Sequence, residues 1–182
     1  YLCKRISNKL EIFESMKKFV CLKHGNKYPG KYVNILYSMV KRHSTVPFEF
    51  VCITENPNDL DPAIKTYQCP DWGVAGERKG WWYKVMLFQP EFQEAMGDEF
   101  IFFDLDVVIF HNIDKLWDYK PNEFVVIQDF NRCRIKNWQV RNSSVMKFHV
   151  GCENQVWEEF NKNKMAVINR MHGDQDWVTK ML

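Results

Sequence analysis

The chain has 182 residues, 46% hydrophobic and 15% aromatic, with 25 basic and 23 acidic side chains and a net charge of +2. That length fits one domain with a sizeable core, and the apolar content excludes a disordered chain. A near-neutral balance without a basic block gives no footprint for nucleic acid, and no stretch approaches the roughly 18 apolar residues of a membrane span.

The amino terminus lacks a signal-peptide pattern, and because Tyr1 is not an initiator Met a short leading segment is expected before it. Cys3, Cys21, Cys52, Cys69, Cys133 and Cys152 are scattered, with no CxxC pair. This spacing reads as reduced core thiols, hence a reducing, cytoplasmic compartment.

The first strand is expected at 18–22, broken at Gly25. Tyr28, Tyr32, Ile35, Leu36, Met39 and Val40 then recur at helical spacing, with Pro29 suited to the first turn and Pro47 beyond the end. A second strand is predicted at 48–54, a turn at 55–59 and a short third strand at 64–69. A loop with Gly73, Gly76 and Gly80 leads into an apolar helix at 81–88, ended by Pro90.

Residues 100–110, FIFFDLDVVIF, read as a strand buried on both faces, with Asp104 and Asp106 inside it. Further strands are predicted at 123–127 and 145–148, then helices around Val156, Trp157 and Phe160 and around Trp177, Val178 and Met181. Strands alternating with helices imply βαβ units: one α/β domain over 1–182, with a mostly parallel sheet covered on both faces. Ligands of such sheets bind beyond the carboxyl ends of the strands. Lys23-His24-Gly25, Thr54-Glu55-Asn56 and Asp104-Leu105-Asp106 are therefore expected to line one crevice.

Positions i and i+2 of a strand share a side, so Asp104 and Asp106 are expected to aim at one point. Like charges that close, among apolar neighbours, call for a cation; the hard oxygen donors suit Mn²⁺ or Mg²⁺. The alternative is a strand-end turn in which the aspartates cap backbone amides, which the renewed apolar run 107–110 argues against. Lys84 is the one charge in GWWYKVMLF and either snorkels to water or meets a buried anion. Asn142-Ser143-Ser144 places short polar groups before a strand, for hydroxyl or phosphate binding or for a plain turn. Asp174-Gln175 opens the last helix, as an N-cap or as part of a sugar site.

These pieces, in this order, resemble the GT-A fold nucleotide-sugar glycosyltransferases, particularly the family 8-like group containing glycogenin and bacterial galactosyltransferases. The resemblance runs through Lys84, Asp104-Leu105-Asp106, Asn142-Ser143-Ser144-Val145-Met146 and Asp174-Gln175. It implies a single Rossmann-like domain that transfers sugar, with retention, from a nucleotide-diphosphate sugar such as a UDP-sugar to a carbohydrate or other hydroxyl acceptor. In that reading Asp104 and Asp106 hold Mn²⁺ or Mg²⁺, Asp104 also meets the ribose, and Lys84 contacts the donor. Asn142 and Ser143 hold donor hydroxyls, Asp174 and Gln175 face the transferred sugar, and Tyr28 stacks on the base.

Two departures stand out. Ser144 replaces a usual glycine, and the family's later His-x-x-Gly-x-x-Lys-Pro-Trp segment, which carries a third metal ligand, has no match; His111, His149 and His172 lie in other contexts. The expectation is a minimal or carboxyl-terminally truncated domain whose metal keeps positions open to water. Two alternatives remain: a noncatalytic nucleotide-sugar binder, and a haloacid-dehalogenase-like phosphatase with Asp104 as nucleophile and the acidic 173–176 run as its later motif.

Overall fold

The computed structural model describes residues 16–74, 77–130 and 139–182; the readings at Cys3, Gly76 and Cys133 lie outside these residues. Six strands form one sheet in the order β3-β2-β1-β4-β6-β5. They are β1 (Lys17–Lys23), β2 (Phe48–Thr54), β3 (Lys65–Gln68), β4 (Glu99–Phe103), β5 (Val125–Gln128) and β6 (Arg141–His149). β3, β2, β1 and β4 pair in parallel, while β6 runs antiparallel to both β4 and β5. The sheet is thus mixed: parallel on one side of β4 and antiparallel on the other.

The sheet has helices on both faces. Residues of β1 alternate between them: Phe19 and Cys21 face one layer, Val20 the other. β4 does the same, with Ile101 and Phe103 on the first face and Phe100 and Phe102 on the second, all at most 2% exposed. Burial on both faces is what makes this segment continuously apolar. The first face is covered by α1 (Gly30–His43), through Val33, Leu36, Met39 and Val40, and by Trp117 of the short α3 (Lys115–Asp118). The second is covered by a 3₁₀ segment (Glu77–Phe88), α2 (Pro90–Met96), α4 (Gln155–Lys162) and α6 (Asp174–Met181), with α5 (Lys164–Arg170) beyond. There Phe100 stacks on Phe148 with centroids 4.6 Å apart. Each such buried side chain contributes about 1.5–3 kcal/mol of transfer free energy.

Four expectations need correction. The strand predicted through residue 110 stops at Phe103; Asp104 to Asp106 form a turn closed by Val107 N–H donating to the Asp104 carbonyl (3.2 Å), and Val108 and Phe110 are each 72% exposed. Apolar composition alone had argued for a longer strand, but sheet pairing ends where β6 turns polar.

The apolar helix is a run of 3₁₀ turns starting earlier, at Glu77. Trp82, Tyr83, Val85, Met86, Leu87 and Phe88 are all buried, so no polar stripe marks a helical period. Pro90 does not simply end an element but begins α2 at its first turn, where a missing N–H costs nothing.

Finally, Asn142-Ser143-Ser144 does not precede a strand; it lies within β6. The β5–β6 register jumps there, from Val126↔Met146 to Ile127↔Asn142. That bulge lets polar residues sit in a strand that would otherwise read as apolar.

Candidate active site

β4 aims the first aspartate. Phe100 and Phe102 face the 3₁₀ segment, and with a period of two Asp104 continues on that side. Its N–H still donates to the Ser144 carbonyl (2.9 Å), which pins the turn to the bulge of β6. On the 3₁₀ segment, Lys84 points back: its Nζ lies 2.8 Å from the Asp104 carboxylate, 3.3 Å from Ser143 Oγ and 3.8 Å from Asp174 Oδ2. Ser143 Oγ in turn donates to Asp174 Oδ2 (2.7 Å). Three distant parts of the chain, the DxD turn, the β6 bulge and the start of α6, therefore converge on one ammonium.

Burial sharpens the electrostatics. It works to lower the pKa of Lys84, but Asp174 and Asp104 outweigh it and hold the ammonium above the ordinary lysine range. Burial also raises the Asp104 carboxyl above its ordinary range, only partly opposed by Lys84 and further aided by the like charge of Asp174. One cation answers two anions, so the ammonium gains more from the arrangement than either carboxylate does. With Asp106, which also bears on Lys84, the group carries three carboxylates against one ammonium. Asp104 and Asp106 offer carboxylate oxygens of the kind that could hold Mn²⁺ or Mg²⁺.

Asp106 sits in the turn, where the Tyr28 hydroxyl donates to its Oδ2 (3.2 Å). Tyr28, Lys84, Asp104 and Asp106 line a crevice of about 210 Å³ at the carboxyl ends of β1 and β4, together with His24, Lys27 and Trp81. Of the three strand ends expected to meet there, those after β1 and β4 do. Glu55, after β2, instead accepts a hydrogen bond from Gly25 N–H (2.7 Å) and braces the β1 loop.

Gln175 and Asp174 line a neighbouring recess of about 400 Å³ with Asp129, His172 and Gly173. Trp81 borders both spaces. A Cβ at Gly173 would stand 3.2 Å from the Trp81 indole nitrogen, so the glycine lets the ring pack closely on the start of α6. Asp174 is not the N-cap of α6; Gly173 is, which frees the Asp174 carboxylate for Ser143 and Lys84. Asn142 and Ser143 are 7% and 3% exposed, and both use bonds inside the protein: Asn142 Oδ1 accepts from Ser144 N–H (2.9 Å).

Among the histidines, His149 pairs with Glu99 at the far end of β4, five strand residues from the DxD turn, and cannot reach it. His24 lines the crevice as its place after the first strand led one to expect, whereas Trp81 and Lys27 were not among the residues the sequence singled out. His24 had a positional signal, one residue past an apolar strand; Trp81 was indistinguishable from its buried neighbours Trp82 and Tyr83.

No family model and no curated protein sequence matches the chain. Solved structures do. The bifunctional glycosyltransferase WbbM, in its apo structure, superposes with a TM-score of 0.62 at 15% identity, over 93% of this chain and 38% of that one. The glycosyltransferase GlyE of Streptococcus pneumoniae TIGR4 gives 0.58 at 11% identity, over 91% of this chain and 43% of that one, and its apo form gives 0.56. The chain spans about two fifths of the length of these proteins. Its fold is that of a glycosyltransferase domain.

Proposed function

We propose that the chain is a metal-dependent glycosyltransferase that takes a sugar from a nucleotide-diphosphate sugar, a UDP-sugar in the first instance, to a hydroxyl acceptor. The observation that carries this reading is the convergence of Asp104, Asp174 and Ser143 on Lys84 beside a crevice that Asp106 completes. The crevice opens at the carboxyl ends of parallel strands, where α/β sheets bind ligands.

Asp104 and Asp106 would hold Mn²⁺ or Mg²⁺, which supplies charge to a departing diphosphate. Tyr28 keeps Asp106 in place and offers its ring to the base. Lys84, the counter-ion of Asp104 and Asp174, would contact the donor phosphates with Asp104 engaged by the cation. Asp174 and Gln175 face the neighbouring recess, and in this reading the transferred sugar and the acceptor hydroxyl would lie there, beyond Trp81. Ser143 acts through Asp174, as a positioning residue. Retention of anomeric configuration follows from the resemblance to the glycogenin group.

The test is donor hydrolysis. With Mn²⁺ the protein should slowly release UDP and free sugar from one member of a UDP-sugar panel, and Gln175→Ala should lower that rate at least tenfold. Release of inorganic phosphate from p-nitrophenyl phosphate, with a phosphoryl group trapped on Asp104, would replace this reading with the phosphatase.

A further inference from the structure

A second constellation lies on the outer part of the parallel half-sheet. His24, Glu55 and Cys69 each stand one residue beyond a strand, after β1, β2 and β3, and those three strands are neighbours in the sheet. Register therefore brings the three side chains together: one ligand atom from each, all within 4.8 Å of one another.

Each is fixed by an independent contact. The His24 ring stacks on Tyr83 at 4.1 Å, and Tyr83 stacks on Trp72 at 4.7 Å, a pile of three rings that sets the imidazole plane. Glu55 accepts the Gly25 N–H at one oxygen, and Gly25 has the left-handed φ of +69° that lets its amide turn toward it. Cys69 N–H donates to the Thr54 carbonyl (3.1 Å), so the β2–β3 ladder holds a 3% exposed thiol at the group's inner side. Such outer contacts are what orient ligands before a metal arrives.

We propose that His24, Glu55 and Cys69 form a Zn²⁺ site, distinct from the oxygen-lined crevice. One imidazole, one carboxylate and one thiolate suit zinc and not Mn²⁺ or Mg²⁺, which take oxygen donors. Zinc bonds of about 2.0–2.3 Å put tetrahedral ligand atoms about 3.5 Å apart, so the three side chains would draw together on binding. On binding, the Cys69 thiol gives its proton to solvent and the sulfur–metal bond forms in its place. Three protein ligands leave a fourth position for water or another donor. Because His24 also lines the crevice, occupancy fixes one of its walls.

Cobalt is the probe. Co²⁺ titrated into reduced, chelator-treated protein should bind at one equivalent with an intense thiolate-to-cobalt absorption, and Zn²⁺ should displace it. Cys69→Ser should abolish that absorption, while Asp104→Asn should leave it intact. Glu55→Gln, at an exposed position, should weaken Co²⁺ affinity about tenfold or more. Absence of a thiolate band in the unmodified chain, or an unchanged band in Cys69→Ser, overturns the site. Should Cys69→Ser not fold, Glu55→Gln decides, and unaltered Co²⁺ affinity there overturns it equally.

Discussion

Two lysines of this domain that are largely withdrawn from water solve the same problem in opposite ways. Lys147, in β6, is 4% exposed and donates to the backbone carbonyls of Trp117, Tyr119 and Lys120, with Glu99 at 3.9 Å. Its partners are fixed by the chain trace itself, and its job is to hold the α3 loop on the sheet. Lys84 is held by side chains, Asp104, Asp174 and Ser143, at the edge of an open crevice. Side-chain carboxylates facing a crevice can exchange one cation for another; backbone carbonyls turned onto one ammonium by the chain trace are not arranged to do so. A charge whose partners are themselves ionisable and face a cavity is therefore the one we propose to be functional.

Breaking each lysine should separate the two roles. Lys84→Met should cost about 3–5 kcal/mol, because it leaves Asp104 and the 5%-exposed Asp174 without their counter-charge. Lys147→Met removes the donor of three carbonyls and should cost about 2–3 kcal/mol, the scale set by a buried acceptor left unsatisfied. Urea unfolding measures both, and the folded fraction of Lys147→Met should bind nucleotide as before. Mn²⁺ should recover part of that loss in a thermal melt of Lys84→Met and none in Lys147→Met. A Mn²⁺ effect of equal size on both would erase the distinction.

Smaller changes sharpen it. Tyr28→Phe removes the single hydrogen bond to Asp106 and should weaken Mn²⁺-dependent donor binding by a few-fold, in line with about 0.5–1.5 kcal/mol for one bond. Asp114 gives the smallest effect and is a control remote from the site. Hydrogen bonds from Thr45, Asn112 and Ser44 outweigh the effect of burial and hold its carboxyl at about 2, below the ordinary 3.8. A depressed carboxyl stabilises the fold above its unfolded pKa, and that contribution is lost as pH falls from about 4 toward 2. The group is largely solvated, so the amount is under about 1 kcal/mol. Asp114→Asn should flatten the acid limb of the stability profile over that window and leave neutral-pH binding unchanged.

How far the residues disclosed this arrangement follows the same division. The apolar strands β1, β2 and β4 and the amphipathic α1 were legible because their periods match their burial. The short α2, α3 and α5 were not, since seven or fewer residues show too little of a helical period to be recognised. The DxD pair and Lys84 were legible as charges in apolar surroundings, a costly pattern that asks for a partner. That Lys84 would meet Asp104 and Asp174 at once was not, for those residues lie far apart in the chain and only the β6 bulge brings α6 to them. Nor could spacing show that the two aspartates sit in a turn: Leu105 is buried and Val108 exposed, yet composition treats them alike.

The central claim is that Asp104 and Asp106 hold a divalent cation against a nucleoside diphosphate. Calorimetric titration of UDP into the protein, with and without Mn²⁺, tests it most directly when repeated on Asp104→Asn and Asp106→Asn. The account predicts binding that requires Mn²⁺ in the unmodified chain and is lost in each variant, with the melting temperature in the absence of ligand held or raised. UDP binding that needs no metal, or Mn²⁺ dependence unchanged in both variants, would contradict it.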